Sequence, residues 1–282
     1  MHTEYLKTFL TLAETKSFSR CAESMIVAQS TVSKRIRELE AELGQNLFER
    51  GRSGVRLTAA GRSLVEYAEQ IVNTEEKAKR QLGRTDMFAG YLVLGTAYAY
   101  FDVYLRKKLR EFLERRKDIS VMVRFSHTPR MLTDVRRSAV DIAFTHYPLE
   151  HPAFICELID EDDVILATDA KNAEYRDGIM HEKIRELPFL SSNFLYGATQ
   201  SWLFPAGMRF QLEMDIAKYA VPFLKGSKWY TLLARRLVEE ELKNGEIIEI
   251  PILNAELPPV KYYRIYRKDA MRQAGVQAWL EM

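Results

Sequence analysis

Three short amphipathic segments occupy the first 45 residues, and they constrain the fold more than any other feature of the sequence. Apolar residues recur within each segment at the spacing of one helix face. Only Ile26 and Val27 separate the second segment from the third, which is helix-turn-helix spacing. The sequence therefore predicts a compact trihelical domain. Its three apolar faces are Leu6, Phe9, Leu10 and Ala13, then Phe18, Cys21, Ala22 and Met25, and finally Val32, Ile36, Leu39 and Leu43.

The third segment carries a polar face typical of a DNA recognition helix. From Ala28 to Arg37 there are three basic residues and no acidic residue. Gln pairs with adenine, Lys and Arg pair with guanine, and Ser and Thr bind phosphates or bases. A charge run alone usually marks a solvated face, but the preceding helix and tight turn favour DNA contact. The predicted DNA-binding residues of this helix are Gln29, Ser30, Thr31, Ser33, Lys34 and Arg37.

A short hairpin is predicted directly after this helix. Two apolar pieces flank a Gly-Arg-Ser-Gly tip at 51–54, which is a turn sequence. Arg50, Arg52 and Arg56 lie on or beside the tip. We expect Arg50 and Arg52 to contact the phosphate backbone or the minor groove as a wing. A solvated turn is the alternative.

One long helical pattern follows at 58–88, with Thr58 as its N-cap. Some 28 residues of helix would span about 40 Å. Apolar residues step by four and three along it, with Glu75 as one polar break, and this heptad-like seam predicts dimerisation. A helix packed on its own domain is the alternative. The predicted dimerisation residues are Leu64, Ala68, Ile71, Ala78 and Leu82.

The run from Phe9 to Thr58 resembles the DNA-binding domain of LysR-type transcriptional regulators. Ser30 stands where that family often has proline, and Cys21 where it usually has alanine. Neither change breaks the helical pattern, although Ser30 is placed to alter base preference. The motifs that carry the resemblance are Phe18-Ser19 with Ala22, Val27-Ala28-Gln29-Ser30-Thr31-Val32-Ser33-Lys34-Arg35-Ile36, Leu39-Glu40-Ala41-Glu42-Leu43-Gly44, Leu47-Phe48-Glu49-Arg50 and Leu57-Thr58-Ala59-Ala60-Gly61.

The resemblance implies an all-α winged helix-turn-helix domain and a long linker helix, followed by an α/β, periplasmic-binding-protein-like effector domain in two lobes. The expected boundaries are 1–57 for the DNA-binding domain, 58–89 for the linker and dimerisation helix, and 90–282 for the effector domain. Within it, lobe I would comprise 90–161 and 267–282, and lobe II would comprise 162–266. The chain would cross between the lobes at 160–163 and again at 263–267.

The residue pattern of the effector half supports this architecture independently. Buried strands are predicted at 91–97, 119–125 and 140–145, alternating with helices at 101–117 and 130–138. Such alternation indicates a parallel sheet built of βαβ units. The second set of predictions comprises strands at 164–168, 189–191, 209–214 and 247–250, helices near 215–224 and 230–244, a strand at 260–267 and a closing helix at 270–281.

A small-molecule site is expected where strand ends of the two lobes face each other. Ligands of open α/β sheets bind beyond the carboxyl ends of the strands, where helix N-termini supply N–H groups. Hydroxyls, an imidazole and an amide among aromatic side chains suit a small polar or aromatic ligand. Each residue taken alone is also compatible with a purely structural role. The predicted effector-binding residues are Thr96, Tyr98, Tyr100, Thr145, His146, Ser192 and Asn193.

Other classes of protein find little support. The chain lacks G-x-S-x-G, H-E-x-x-H, P-loop and G-x-G-x-x-G motifs, so no catalytic residue is predicted. His146, His151 and Cys156 have no known metal-ligand spacing, and we expect neither a metal nor a cofactor. Only Cys156 lies in the effector half, which excludes a disulfide switch within it. The 144–152 segment and the turn at 243–246 faintly resemble the hypochlorite-responsive branch of the family.

Length and charge complete the expectations. A chain of 282 residues predicts about two domains, and a net charge of +2 confines any DNA-binding face to one region. The longest apolar stretch, at 91–101, is about half of a membrane span, so a cytoplasmic protein is expected. We expect a homodimer, and by extension a homotetramer, that binds double-stranded DNA under control of a small effector. RNA polymerase is a further candidate partner. The alternatives are an effector-independent repressor and an enzyme with a DNA-binding appendage.

Overall fold

The computed structural model describes residues 2–51, 54–82, 88–172, 174–192, 202–205 and 207–282. Its first part is a three-helix domain with a hairpin. The predicted apolar faces meet in one core, where Leu6, Phe9, Val32 and Leu39 are fully buried, so the trihelical prediction is confirmed. The elements are α1 (Thr3–Thr15), α2 (Phe18–Met25), α3 (Gln29–Leu43), β1 (Phe48–Gly51) and β2 (Gly54–Leu57).

Helix α4 (Ala59–Leu82) forms the linker. Of the predicted continuation to 88, residues 83–87 lie outside the described residues, and Phe88 is not helical. Thr58 caps α4 as predicted, because its hydroxyl accepts the Gly61 N–H at 3.0 Å and donates to the Asn46 carbonyl at 2.7 Å. A side chain at Gly61 would lie 2.2 Å from the Leu47 carbonyl oxygen. The absence of a Cβ there lets α4 start directly against the hairpin.

The predicted dimer seam is wrong at Ala68. Ala68 is fully buried in the core of its own domain, and Leu64 packs against the same core. Ile71 and Ala78 follow Leu64 at intervals of seven residues on the same side of α4 and are exposed. The side chain of Leu82 is outside the described part. A four-and-three spacing identifies an apolar face but does not tell whether the face meets its own domain or a partner.

Two larger sheets, one two-stranded sheet and flanking helices make up the described part of the effector half. Short helical turns at Tyr98–Tyr100 (α5) and Phe101–Leu105, the latter a π-helical turn, lead into the next helix. The strands are β3 (Gly90–Thr96), β4 (Ile119–Phe125), β5 (Ile142–Thr145), β6 (Phe154–Asp162), β7 (Val164–Asp169), β8 (Leu190–Ser191), β9 (Leu212–Glu213), β10 (Tyr230–Ala234), β11 (Ile247–Ile250) and β12 (Val260–Arg267). The helices are α6 (Arg106–Arg115), α7 (Thr128–Arg136), α8 (Val221–Leu224), α9 (Glu239–Lys243) and α10 (Ala274–Leu280).

The first sheet has the strand order β4-β3-β5-β12-β6. Strand β3 runs parallel to β4 and β5, as the βαβ pattern predicted, whereas β12 runs antiparallel to both β5 and β6. One face carries α6 and α10 over a core around Phe112 and Trp279. The other face carries α7 through Met131 and Val135.

The second sheet is built differently from the first. Its order is β10-β7-β11, and both pairings are antiparallel. The segment 230–244 was expected to be helical, but its first five residues form β10, which is buried along its whole length. A short, continuous apolar run fits a buried strand and a buried helix equally well. Of the predicted strand at 209–214, only Leu212–Glu213 is a strand.

The return to the first sheet occurs earlier than predicted. The whole of β12 pairs within the first sheet, so a second crossover at 263–267 and a second lobe extending to 266 are wrong. The first passage lies at Asp163, between the end of β6 and the start of β7. Hereafter lobe I denotes the five-stranded sheet with its helices, and lobe II denotes the sheet β10-β7-β11 with its surrounding segments.

Candidate functional site

Helix α3 presents its N-terminal half to solvent. Gln29, Ser30, Lys34 and Arg37 are exposed, while Thr31 and Ser33 are half-buried. The Lys34 side chain is 70% exposed, and its ammonium lies 3.8 Å from the Glu38 carboxylate. So long and exposed an ion pair is weak and leaves the ammonium available. All six residues predicted on this helix therefore lie on or at the edge of one surface.

Arg35 is the basic residue of α3 that the fold uses internally. Its guanidinium donates to the Thr8 hydroxyl at 3.2 Å and lies 3.5 Å from the Glu4 carboxylate. These contacts tie α3 to α1, and the Ser19 hydroxyl donates to the Gln29 side-chain oxygen at 3.4 Å. The geometry thus separates a structural arginine from the exposed cations of the same helix.

The turn before α3 has a strained backbone, and the N-terminus of α3 has no side-chain cap. Ile26 adopts a left-handed conformation with φ 56° although it is β-branched, and its side chain is 91% exposed. Such backbone geometry disfavours a residue with a branched Cβ. At Ala28, the N-cap of α3, no side chain caps the helix. Sequence spacing located this turn but gave no sign of its strain.

The hairpin is fixed to α3 by Glu40. Its carboxylate accepts the backbone N–H groups of Leu47 and Phe48, at 2.7 Å and 3.2 Å. On the other strand, the Val55 N–H donates to the Lys16 carbonyl at 3.3 Å. The wing therefore has a set position beside the recognition helix. Of its arginines, Arg52 and the side chain of Arg50 lie outside the described residues.

The effector candidates fall into two groups by burial. Thr96, Tyr100, Thr145 and Ser192 are all buried, whereas Tyr98 and His146 are half-buried. The Thr145 hydroxyl donates to the Tyr147 carbonyl at 2.8 Å, and the Ser192 hydroxyl donates to the Leu232 carbonyl at 2.8 Å. These two hydroxyls already serve their own lobes. Asn193 lies outside the described residues.

Tyr100 and His146 pack into lobe I. The Tyr100 ring lies 4.8 Å from that of Tyr262 and 5.2 Å from that of Phe144, measured between centroids. Tyr100 is therefore part of the aromatic core of lobe I rather than of an open cleft wall. Loss of hydration lowers the pKa of His146 to about 4, so its imidazole is neutral at pH 7.

Charged side chains that the sequence did not single out join the two lobes. Lys218 of lobe II lies 2.5 Å from the Asp102 carboxylate of lobe I, and His127 of lobe I lies 3.3 Å from the Asp215 carboxylate of lobe II. Near the passage between the lobes, Arg236 pairs with Asp160, and its backbone N–H donates to Asp162 at 3.2 Å. No spacing rule brings such distant residues together.

The described part of the chain offers neither a membrane-spanning helix nor a cluster of metal ligands. None of its helices is long and apolar enough to cross a membrane. No group of three His, Cys, Asp or Glu side chains among the described residues is arranged to hold a metal ion.

Comparison with known families decides the assignment. Residues 3–62 match the family described as bacterial regulatory helix-turn-helix protein, lysR family, and residues 86–282 match the LysR substrate binding domain. The chain belongs to the LysR family. The resemblance seen in the N-terminal motifs is thereby confirmed, and so is the two-part architecture. Proteins of this family are transcriptional regulators rather than enzymes.

Curated relatives of this LysR protein include two HTH-type transcriptional regulators named HdfR. Those of Yersinia pestis (strain Pestoides F) and Yersinia pseudotuberculosis serotype O:1b (strain IP 31758) are each 35% identical over 159 residues. Each match covers 56% of this chain and 54% of the relative. The chain thus matches about half the length of these curated relatives.

Solved structures of LysR proteins share the fold over the whole chain. CbnR in complex with its target DNA has a TM-score of 0.63 at 20% identity, covering 100% of this chain and 98% of that one. A full-length OxyR variant from Pseudomonas aeruginosa has a TM-score of 0.62 at 19% identity, covering 100% and 94%. At these identities the likeness shows a common fold.

Proposed function

We propose that this protein binds a specific sequence of double-stranded DNA through α3 and the hairpin β1–β2. The carrying observation is the exposed, acid-free N-terminal half of α3, with its structural arginine turned inward. Gln29 and Lys34 would contact base edges, while Ser33 and Arg52 would hold phosphates. CbnR, which shares this fold, has been solved in complex with its target DNA, and this supports DNA binding by the present chain.

The proposed assembly is a homodimer, extended to a homotetramer, with paired DNA-binding domains on a two-fold operator. Support comes from the face of α4 that its own domain leaves uncovered. Tyr67 is 64% exposed and Ile71 is 37% exposed, and Ala78 continues the same stripe two turns further on. Large apolar side chains on one exposed helix stripe suit a second helix of the same kind.

The proposed control is a small molecule bound between lobes I and II. Tyr98 and His146 are the candidates that remain partly accessible, and the ion pairs across the lobes hold the surrounding walls together. A ligand that prefers one separation of the lobes shifts the population toward that separation. In a dimer or tetramer, this changes the spacing or the bend of the bound DNA.

Effector-independent repression is the second candidate function. The hydroxyls of Thr145 and Ser192 are already hydrogen-bonded within their own lobes, so they offer a ligand little without rearrangement. In either case the proposed site of action is the cytoplasm, with RNA polymerase as a proposed further partner.

In vitro selection from random duplexes tests the proposal directly. We expect one enriched, two-fold symmetric sequence, and an affinity that falls with rising salt as phosphate contacts are screened. Repeating the selection with a panel of small metabolites tests control by an effector, since a bound effector would change the preferred half-site spacing or the affinity. Enrichment of no sequence would contradict specific binding. Enrichment unchanged by every metabolite would favour the effector-independent repressor.

A further inference from the structure

The C-terminal end of α7 is bound by the linker helix α4. The Asn73 side-chain amide donates to the Arg137 carbonyl at 2.7 Å, and the Gln70 amide donates to the Arg136 carbonyl at 3.4 Å. The Arg137 guanidinium lies 2.5 Å from the Glu69 carboxylate. Carbonyl groups at a helix C-terminus lack partners within the helix. The linker of the DNA-binding domain therefore caps a helix of the effector domain.

This contact, which we call the latch (Glu69, Gln70 and Asn73 against Arg136 and Arg137), is partly shielded from water. The side chains of Glu69 and Arg137 are 14% and 30% exposed. Burial raises the pKa of the Glu69 carboxyl, and the Arg137 charge opposes that shift. Separating such a pair leaves a half-buried carboxylate without its partner, so the two groups favour staying together.

The other end of α7 lies where the two lobes meet. His127 directly precedes the helix and is the residue that approaches Asp215 of lobe II. Thr128, the first helical residue, accepts the His146 backbone N–H with its hydroxyl at 3.2 Å. The Tyr98 ring lies 5.9 Å from the His127 ring. Both half-buried effector candidates thus contact the start of α7.

The middle of α7 suits transmission between these ends. Met131 and Val135 are fully buried against lobe I, so the helix stays on its sheet. Beneath it lies Gly95 of β3, where a Cβ would come within 2.2 Å of the Met131 sulfur. Because Gly95 has no side chain and the Met131 thioether is flexible, α7 can slide slightly over β3, which is a shear motion.

We propose that α7 is the element that couples the space between the lobes to the linker helix. A change in lobe separation moves the His127 end, and the stiff helix carries the displacement to the latch. Because the latch is a small set of polar contacts at one helix end, a displacement of α7 either keeps them or breaks them, and the lobe separation thereby selects between a latched and a released linker. The proposal rests on the proposed function, in that the effector acts between the lobes.

A zero-length cross-link measures the occupancy of the latch. In the Arg137→Lys variant, the new ammonium keeps the charge facing Glu69, and a carbodiimide joins the two groups only while they are in contact. The yield is read from tryptic peptides of the band that corresponds to a single chain. Lys225 and Glu246, which lie 2.7 Å apart within lobe II, provide an internal standard. Glu69→Gln in the same background is the blank, since it lacks the reacting carboxylate.

Substitutions that change the charges between the lobes alter the lobe separation without any effector. Lys218→Glu places two carboxylates opposite each other at the Asp102 contact, and Asp102→Lys added to it restores an attractive pair of reversed sense. We expect Lys218→Glu to lower the Glu69 cross-link at least twofold and the added Asp102→Lys to restore it. Asp215→Asn, which removes the charge facing His127, is expected to lower the yield in the same direction.

Each remaining result contradicts the coupling. A yield equal to the blank in Arg137→Lys would mean that the latch does not form, and an unchanged yield in Lys218→Glu would mean that lobe separation does not reach it. A yield that falls with Lys218→Glu but is not restored by the swap would mark local damage instead. DNA selection on the same samples separates the two proposals, because lost DNA binding with an intact cross-link pattern would overturn only the proposed function.

Discussion

The two candidate sites of this LysR protein are built in opposite ways. On α3, the predicted DNA-binding side chains are exposed, and the residues that hold the helix in place, such as Arg35 and Val32, are separate from them. Between the lobes, most predicted effector residues are buried and form hydrogen bonds or ring contacts of their own.

This contrast follows from the partners that the sites are proposed to serve. A DNA duplex is large and rigid, so a helix that meets it can keep its side chains ready in solvent. A small molecule must be enclosed to be bound, and closing around it changes the burial and hydrogen bonding of the walls. One set of residues therefore presents a fixed surface, whereas the other belongs to a space that changes with lobe separation.

The largest effect that we expect distinguishes the two faces of α4. Ala68→Asp places a carboxylate in a fully buried position, where an unpaired charge costs about 3–5 kcal/mol, and should unfold the DNA-binding domain. Ile71→Asp changes an exposed residue three positions further on and should leave that domain folded. Circular dichroism of the two variants against temperature provides the measurement.

The same pair tests the proposed dimer. Ile71→Asp should shift the protein toward monomer in analytical ultracentrifugation, because the charge would lie in the stripe formed with Tyr67 and Ala78. A variant that stays dimeric at micromolar concentration would place the dimer contact elsewhere. Full stability of Ala68→Asp would contradict the burial of that residue.

These α4 residues show how far the sequence reached. The three helices, the hairpin and the cap at Thr58 follow from local spacing and turn residues, and all were predictable. Ala68 was assigned to the wrong partner, because periodicity marks an apolar face without showing what covers it. Tyr230–Ala234 was assigned to a helix, because strand pairing is set by distant residues, here Val164–Asp169.

The candidate sites divide along the same line. Exposure of Gln29 and Lys34 follows from helix periodicity once Val32 and Ile36 are placed inside. Contacts across the lobes, such as Lys218 with Asp102, join residues that are 116 positions apart and leave no local pattern. The effector half was therefore predictable as a class of fold, but its contacts were not.

A second expectation concerns the pH dependence of the stability of the effector half. The folded pKa of His146 is about 4, below its ordinary value of 6.5, so the unfolded chain binds the proton more strongly. The contribution of His146 to stability is fully present above pH 6.5 and is lost as the pH falls through 4, by about 3 kcal/mol in total. All three tryptophans lie in the effector half, so their fluorescence in urea reports on that half alone.

The control for this expectation is His146→Phe, which keeps an aromatic ring beside Tyr262 but cannot titrate. We expect its urea midpoint to change less between pH 7 and pH 4.5 than that of the wild type. His151→Phe, at an exposed histidine, should retain the dependence of the wild type. Equal slopes for all three proteins would show that His146 does not titrate as its burial requires.

A smaller effect is expected on α3. Gln29→Ala should weaken binding to the selected DNA by about 1–3 kcal/mol and relax the preference for one base pair. Gln45→Ala is the matched control, because Gln45 is exposed just beyond the opposite end of the same helix. Fluorescence anisotropy measures the dissociation constants for a selected duplex and for a random duplex. An unchanged ratio of the two affinities in Gln29→Ala would exclude base recognition by this side chain.

The smallest effect concerns the uncapped start of α3. Ala28 has the extended backbone of an N-cap, with φ −69° and ψ 147°, but no side chain that accepts a hydrogen bond. Ala28→Ser should stabilise the DNA-binding domain by about 1 kcal/mol, since the hydroxyl can accept a free N–H of the first turn. The opposite change is available at Ser17, whose hydroxyl accepts the Arg20 N–H at 3.4 Å, and Ser17→Ala should destabilise the domain.

Hydrogen exchange of α3 in Ala28→Ser measures the gain in stability. The DNA affinity of the same variant tests whether the uncapped N–H groups bind DNA. N–H groups at a helix N-terminus bind phosphate well. If α3 uses them on DNA, the serine hydroxyl competes with a phosphate, and the variant binds selected DNA more weakly although its domain is more stable. If stability and affinity rise together, phosphate contact at these groups is contradicted, and α3 meets DNA through its side chains alone.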